Sequence, residues 1–235
     1  RSTKTGNTSW VSFKEYVERM AENQKDIYFL TGLSFETVSR SPHLEALTSR
    51  GIEVLFLTDP VDEWLAMSYL KHGEHTLKSI AKGDLDLKGI GKEPENNQAP
   101  EVPPEEIAPL LQRMRDRLGG EIKDVKLSKR LTESPCVLVA EENGFSSHME
   151  RILRSNNKDF EGSKKILEVN PTHPLIKGLV GLEHRAGAQA KLEDWIEILY
   201  DTALLADGER PKDPGLFAKK LTRLMEVSIA SNATP

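Results

Sequence analysis

The chain has 235 residues, enough for one large domain or two modest ones. Apolar residue types make up 37% of it and charged types 29%, a balance typical of globular proteins and not of fibres. No run approaches the ~18 apolar residues of a membrane-spanning helix, and a net charge of −5 argues against a general nucleic-acid binder.

Residues 1–92 alternate helix and strand signals. Ser12 and Glu15 have capping-box spacing, which predicts a helix from about residue 13 to residue 22. The further predicted elements are a strand at 27–30, a helix from Ser41-Pro42 to Gly51, a strand at 52–58, a helix from Asp59-Pro60 to about residue 70, and a weaker strand at 76–81. This order predicts a small α/β three-layer unit, in which a parallel-rich sheet carries helices on both faces.

Residues 93–104 hold four prolines and few apolar side chains, so we predict a linker or exposed loop there. Residues 105–235 then read as an α+β domain with a helical end. Its first helix has apolar residues from Ile107 to Leu118 and a stop at Gly119, and we expect Pro109 in its first turn or just before a later start. The other predicted elements are strands near 122–131, 135–140 and 166–169, and helices near 145–154, 174–185, 192–206 and 214–229.

Motifs for catalysis are weak throughout the sequence, and we predict no catalytic residue. The segment from Gly144 to His148 lacks the final glycine of a nucleophile elbow, so we interpret its serines as a helix cap. His72 and His75 have no accompanying carboxylate motif and are better read as a solvated turn than as a metal pair. The single cysteine, Cys136, excludes an internal disulfide and lies in an apolar segment, where we expect a buried core residue.

An enzyme remains the alternative hypothesis. Open parallel sheets bind small molecules at the carboxyl ends of their strands, and Asp59, Asp62 and Glu63 would lie near such an edge. Those three acidic residues are the only titratable groups that the sequence places there, and a fold alone does not confer an activity.

The last two predicted helices carry more apolar surface than one short module can cover. The helix at 192–206 is apolar around most of its circumference, and the next has a stripe formed by Phe217, Leu221, Leu224 and Ser228, widened by Leu216, Met225 and Ile229. Self-association into a four-helix bundle would cover both faces. The alternative, that both helices pack into their own domain, stays open at this point.

Two further segments combine apolar residues with chain breakers. Phe145, Met149, Ile152 and Leu153 share one face of a short predicted helix between polar loops, and Trp64 and Met67 follow an acidic helix start. Methionine and aliphatic side chains make adaptable contacts with varied partners. The alternative is that these side chains pack against their own strands and serve as core anchors.

Longer segments resemble the bacterial form of the heat shock protein 90 family of chaperones. The segments are VSFKEYVERM, QKDIYFLTG, SPHLEAL, GIEVLFLTDPVDEW, KSIAKGDLDL, SKRLTESPCVLVA, LEVNPTHPLIK and the helical run to Leu224. They follow in family order along nearly the whole chain. The resemblance implies the late middle segment and the C-terminal dimerisation domain of such a chaperone.

The resemblance also implies a function in heat shock and other stress responses. The family is an ATP-driven chaperone that binds partly folded client proteins as a homodimer, and its ATP-binding domain and catalytic arginine lie upstream of this segment. We therefore expect no catalysis and no cofactor in this chain, with ATP and magnesium expected only for the full-length family. The expected role is to tether two arms, whose raised local concentration serves the upstream ATPase.

Site residues follow from the same resemblance. The implied client-binding residues are Glu63, Trp64, Met67, Phe145, Met149, Ile152 and Leu153. The implied dimer-interface residues are Trp195, Ile198, Leu199, Leu205, Phe217, Leu221, Leu224, Met225 and Ser228.

The ends and the composition add three expectations. Residues 230–235 lack the acidic pentapeptide tail of eukaryotic cytosolic relatives, which favours a bacterial source. Single-cysteine usage and the lack of a secretory pattern predict a cytoplasmic protein with no membrane or nucleic-acid partner. Because the sequence starts at Arg1 without Met, we expect a piece excised from a longer protein.

Overall fold

A computed structural model of the chain describes residues 1–93, 101–185, 187 and 189–232. In these ranges the chain forms seven strands and nine α-helices. The strands are β1 (Asp26–Thr31), β2 (Leu55–Leu57), β3 (Lys71–His72), β4 (His75–Ser79), β5 (Ile122–Leu127), β6 (Cys136–Val139) and β7 (Lys165–Val169). The helices are α1 (Phe13–Val17), α2 (Phe35–Val38), α3 (Glu45–Ser49), α4 (Pro60–Ser68), α5 (Pro104–Leu118), α6 (Ser147–Asn156), α7 (Pro174–Glu183), α8 (Gln189–Ala206) and α9 (Pro214–Asn232).

The first sheet has the strand order β2-β1-β4-β3. Strand β1 pairs in parallel with both β2 and β4, while β3 and β4 form an antiparallel hairpin. Alternate residues of β1 enter different cores: Tyr28 and Leu30 lie in one apolar cluster, and Ile27 and Phe29 lie in another. Since a strand buried on both faces needs cover on both sides, this sheet has helices on either face, as predicted.

Local signals set the helix starts of this unit. Ser12 Oγ accepts a hydrogen bond from the Glu15 amide at 3.2 Å, and the Glu15 carboxylate accepts one from the Ser12 amide at 2.8 Å. The capping box is therefore confirmed, but the helix ends at Val17, well before residue 22. Pro42 begins a short 3-10 turn that leads into α3, and Gly51 follows with a φ of +69°.

The second sheet has the order β5-β7-β6, with β5 parallel and β6 antiparallel to β7. Helices α5, α7 and α8 share one apolar core with this sheet. The expectation for Pro109 was wrong: α5 begins at Pro104, and Pro109 is its sixth residue, inside the helix. Five apolar side chains of α5 are nevertheless buried, and their packing offsets the hydrogen bond that proline cannot donate.

Backbone hydrogen bonds join the two sheets. Lys82 forms a parallel bridge with Ala140 beyond the end of β6. The Gly83 amide donates to the Ala140 carbonyl at 2.9 Å, and the Ala140 amide donates to the Ala81 carbonyl at 3.0 Å. The two halves therefore contact each other directly through main-chain atoms.

Residues 94–100, most of the predicted linker, lie outside the described residues, as do residues 233–235 of the terminal segment that lacks an acidic tail. At the described end of the linker, Val102 is buried and its amide donates to the Pro171 carbonyl at 3.2 Å. Across the part of the chain that the structure describes, no helix combines the length and apolarity needed to cross a membrane.

Candidate functional site

Helix α4 turns apolar side chains toward solvent. Val61 is 67% exposed, Trp64 54% and Met67 45%, and their spacing of three residues places them along one side of the helix. We call these three residues the α4 surface. The helix starts here because Pro60 takes the first helical position and the Asp59 amide donates to Asp62 Oδ2 at 3.0 Å.

Glu63, the residue before Trp64, points the other way and is 2% exposed. Its carboxylate accepts a hydrogen bond from Ser146 Oγ at 2.6 Å, and His148 Nδ1 lies 3.2 Å from Glu63 Oε1. Burial raises the pKa of Glu63, but the neighbouring His148 ring and the Ser146 and Thr31 hydroxyls outweigh burial and lower the pKa overall. The structure thus holds this carboxylate in its charged form between α4 and α6.

The predicted client-contact residues on and next to α6 differ in their exposure to solvent. Met149 is buried at 2% exposure, as expected if this helix packs onto its own domain, and its amide donates to the cap Ser146 at 3.0 Å. Phe145, Ile152 and Leu153 are half-buried, and Phe145 packs edge-on against Phe160 with ring centroids 6.3 Å apart. The structure therefore brings both predicted client segments together, with the apolar exposure concentrated on α4.

The other flank of α6 is attached to the segment after α8. Ser147 Oγ donates to Asp207 Oδ2 at 2.5 Å, and Lys165 Nζ pairs with the same oxygen at 2.6 Å. Burial raises the pKa of Asp207, and the Lys165 charge opposes that rise. Arg151 adds a hydrogen bond from Nη1 to the Gly208 carbonyl at 2.8 Å. Sequence reasoning missed this cluster because its members are 18 to 60 residues apart.

Helix α9 is the most exposed long element. No residue whose side chain is described in α9 is buried, although the helix has 19 residues. The large apolar side chains that it exposes, here called the α9 surface, are Leu216 at 47%, Leu221 at 40%, Met225 at 59%, Val227 at 61% and Ile229 at 69%.

A groove of about 900 Å³ separates α9 from α8. Its apolar lining comes from Trp195 and Ile198 of α8 and from Leu216, Leu224 and Val227 of α9. At the same groove, α9 is fastened to α8 by ion pairs of Lys220 with Asp194, at 2.8 Å, and with Glu197.

The predicted dimer residues fall into three burial groups. Leu205, Leu221, Met225 and Ser228 are exposed, and Trp195, Phe217 and Leu224 are half-buried. Ile198 and Leu199 are buried, and Leu199 belongs to the core of its own chain. Helix α8 uses one face for its own core, since Leu192, Ile196, Leu199 and Ala203 follow 4-3-4 spacing within that core.

The acidic residues of the enzyme alternative do not converge. At the start of α4, the Asp59 amide donates to the Asp62 carboxylate and the Asp62 amide donates to the Asp59 carbonyl. The Glu63 carboxylate accepts from the Ser146 hydroxyl. At the carboxyl end of β1, the cavity that includes Thr31 and Gly32 measures about 40 Å³, space for only a few waters.

The remaining candidates have structural partners. His72 Nδ1 bonds the Tyr69 hydroxyl at 2.8 Å and His75 Nδ1 bonds the Lys25 carbonyl at 3.0 Å, so the two rings serve different contacts. Among the residues with described positions, no group of three or more His, Cys, Asp and Glu side chains could hold a metal ion. Cys136 is buried, and burial raises the pKa of its thiol to about 12.

Comparison with known proteins gives a consistent result. A family model described as Hsp90 protein matches residues 1–234. Chaperone protein HtpG of Geobacter sulfurreducens is 42% identical over 224 residues, covering 95% of this chain and 34% of the relative, and the Geobacter metallireducens protein of the same name gives the same values. Chaperone protein HtpG of Nitrosococcus oceani is 40% identical over 215 residues, covering 92% of this chain and 33% of the relative. The chain spans about a third of the length of these relatives.

Proposed function

The chain belongs to the Hsp90 protein family of chaperones, and from that premise we propose that it is the late middle segment and C-terminal dimerisation part of such a chaperone. Its proposed work is to hold two copies together and to bind unfolded or partly folded client proteins. In this proposal the ATPase, with its ATP and magnesium, lies in the part of the relatives that this chain does not span. Its proposed location is the bacterial cytoplasm.

The observation that carries the proposal is the α9 surface. Five large apolar side chains lie exposed along a helix about 28 Å long: Leu216 and Val227 line the α8–α9 groove, and Leu221, Met225 and Ile229 do not. Exposed apolar side chains concentrated on one element are typical of contact sites. A helix of this length gains most of its stability from packing, yet within one chain no described side chain of α9 is buried, and its main contact is with α8. A second copy would supply the matching surface, because a twofold interface uses the same patch on both partners.

The α8–α9 groove supports the same arrangement. Its apolar floor and its lysine, arginine and acidic rim suit the apolar face and polar flanks of another amphipathic helix. We propose that α8 and α9 of two copies form a four-helix bundle. Leu221, Met225 and Ile229 would then lie in the centre, and Leu199 would remain in the core of its own chain.

The α4 surface is the proposed client contact. An exposed tryptophan and an exposed methionine give a large, adaptable apolar contact that does not require a defined partner sequence. Phe145, Ile152 and Leu153 would extend this contact from α6. Glu63 and Met149 are buried, so neither is proposed to touch a client directly.

Replacing Trp64 tests the client proposal. We expect Trp64→Arg to weaken binding of a permanently unfolded protein, measured by fluorescence titration with reduced, carboxymethylated α-lactalbumin. Trp10→Arg is the matched control, since Trp10 is 73% exposed but stacks with Arg1 and lies outside α4. Equal affinities for the wild type and Trp64→Arg would contradict the proposed client site.

A further inference from the structure

Helix α4 carries a buried acidic side chain, Glu63, on its inward side. Glu63 is the one residue of α4 that is buried, while Asp62, Leu65 and Ala66 are half-buried and the other residues of the helix are exposed. Carboxylates are rarely buried unless paired, because removing their charge from water is costly. The hydrogen bonds around Glu63 offset that cost, so the position of α4 depends on them.

The partner of Glu63 is itself held in place. Ser146 caps α6: its oxygen accepts from the Met149 amide while its hydroxyl donates to Glu63. On the opposite flank, α6 is attached through Ser147 to Asp207 and through Arg151 to the Gly208 carbonyl. Helix α6 is therefore fastened from several sides, and loss of the Glu63 contact would loosen α4 relative to α6.

The consequence falls on the α4 surface. Trp64 follows Glu63 directly, and Val61 and Met67 lie on the outward side of the same two turns. Because Glu63 ties this helix to α6, it contributes to the orientation in which the helix presents its outward side chains.

We propose that Glu63 is a positioning residue, which fixes the α4 surface relative to α6 through its hydrogen bond with Ser146 and its contact with His148. This inference rests on the proposed client function of the α4 surface and assigns Glu63 a role other than direct contact. Glu63 acts on the client through the orientation of Trp64 and Met67.

Four variants, three single and one double, separate positioning from direct contact. Glu63→Ala and Ser146→Ala each remove the bond, and we expect each to weaken client affinity about fivefold, with the double variant no weaker than either single one because both act on one interaction. Glu63→Gln keeps a carbonyl oxygen for Ser146 and should bind the client within about twofold of the wild type. The same carboxymethylated α-lactalbumin titration reads all four proteins.

Direct contact predicts the opposite pattern. If the Glu63 charge touched the client, Glu63→Gln would lose as much affinity as Glu63→Ala, and Ser146→Ala would bind normally. Additive losses in the double variant would also overturn the inference.

Hydrogen exchange supplies a second readout. We expect α4 amides to exchange faster in Glu63→Ala and at the wild-type rate in Glu63→Gln, with α6 amides unchanged in both. Glu63→Ala could lower the free energy of unfolding and yet bind the client with wild-type affinity under conditions in which it is fully folded. The role of Glu63 would then be structural, and the inference would fail.

The two proposals fail in different ways. If Trp64→Arg weakens client binding and Glu63→Ala does not, only the inference about Glu63 is refuted. If Trp64→Arg binds the client normally, the proposed function of the α4 surface is refuted.

Discussion

Arg130 and Glu168 form a buried ion pair, with Arg130 Nε and Nη2 at 2.9 and 3.0 Å from the two carboxylate oxygens. Arg130 is 1% exposed, and its guanidinium also donates to the Ile80 carbonyl at 2.6 Å and to the Gly83 carbonyl at 2.5 Å. One side chain therefore satisfies acceptors on β7 and in the segment that follows β4. The planar fork of arginine makes this possible, since it can donate in several fixed directions at once.

Loss of this side chain should be severe. We predict that Arg130→Ala lowers the free energy of unfolding by about 3–5 kcal/mol, because it would leave the buried Glu168 without its ionic partner. Arg130→Lys should also destabilise, since an ammonium group cannot reach the same four acceptors. Urea unfolding measures both, with exposed Lys129→Ala as the control. Wild-type stability in Arg130→Lys would show that charge alone matters.

Glu45 binds the loop before β6. Its carboxylate accepts from the Thr132 and Glu133 amides, each at 2.7 Å, and from the Ser134 amide at 3.1 Å. We predict that Glu45→Ala lowers the free energy of unfolding by about 2 kcal/mol, since it removes charge-assisted hydrogen bonds from partly buried amides. Thermal unfolding should show no comparable loss for exposed Glu22→Ala. Equal losses in the two variants would contradict the role of this loop contact.

His43 makes stability depend on pH. Its ring is 2% exposed, and burial, together with the positive charges of Arg130 and Lys165, lowers the pKa of His43 from 6.5 to about 3. In the unfolded chain, His43 therefore binds a proton below pH 6.5, whereas in the folded chain it binds one only below about pH 3. The contribution of His43 to the free energy of unfolding is fully present above pH 6.5. It is lost as the pH falls, by up to ~1.4 kcal/mol per pH unit.

The matched variant isolates this effect. Urea unfolding at pH 7.5 and 5.0 should show a smaller acid loss in His43→Gln than in the wild type, because glutamine does not titrate. Glu63, Asp207 and His173 titrate alike in both proteins, so the difference belongs to His43. Identical pH slopes would mean that His43 takes up its proton in the folded state as it does in the unfolded chain.

Cys136 should be chemically silent in the folded protein. Burial raises the pKa of its thiol to about 12, and Sγ donates weakly to the Leu199 carbonyl at 3.5 Å. Because the thiolate is the reactive form, Ellman's reagent should detect no thiol in the native chain and one thiol per chain in guanidinium chloride. Rapid reaction of the native protein would place this residue at an accessible surface instead.

Much of the fold follows from local sequence signals. Cap residues such as Ser12 and Ser146, and the proline after Asp59, mark helix starts correctly, since capping is decided within one turn. The strand β3 was missed because it has only two residues, and its hairpin depends on Gly73 at a φ of +60°. Helix α2, which has four residues, was also missed.

The site was harder to predict, because it depends on distant contacts. An acidic residue in the first turn of a helix is ordinarily exposed, and nothing near Glu63 in the sequence signals that Ser146, 83 residues away, covers it. The same limit applied to α8 and α9, whose apolar patterns fit either a core or an interface. The structure separates them, since α8 has one face in the core and α9 has none.

Solution mass as a function of concentration tests the central claim, that the α9 surface is covered by a second copy. Sedimentation equilibrium should give twice the mass of one chain for the wild type, and the mass of one chain for the double variant Leu221→Asp, Met225→Asp, whose buried charges would have no partners. Leu33→Asp, which changes a 54% exposed leucine outside α9, should remain a dimer. A wild type that sediments as a single chain at every concentration, or a double variant that keeps the dimer mass, would contradict the account.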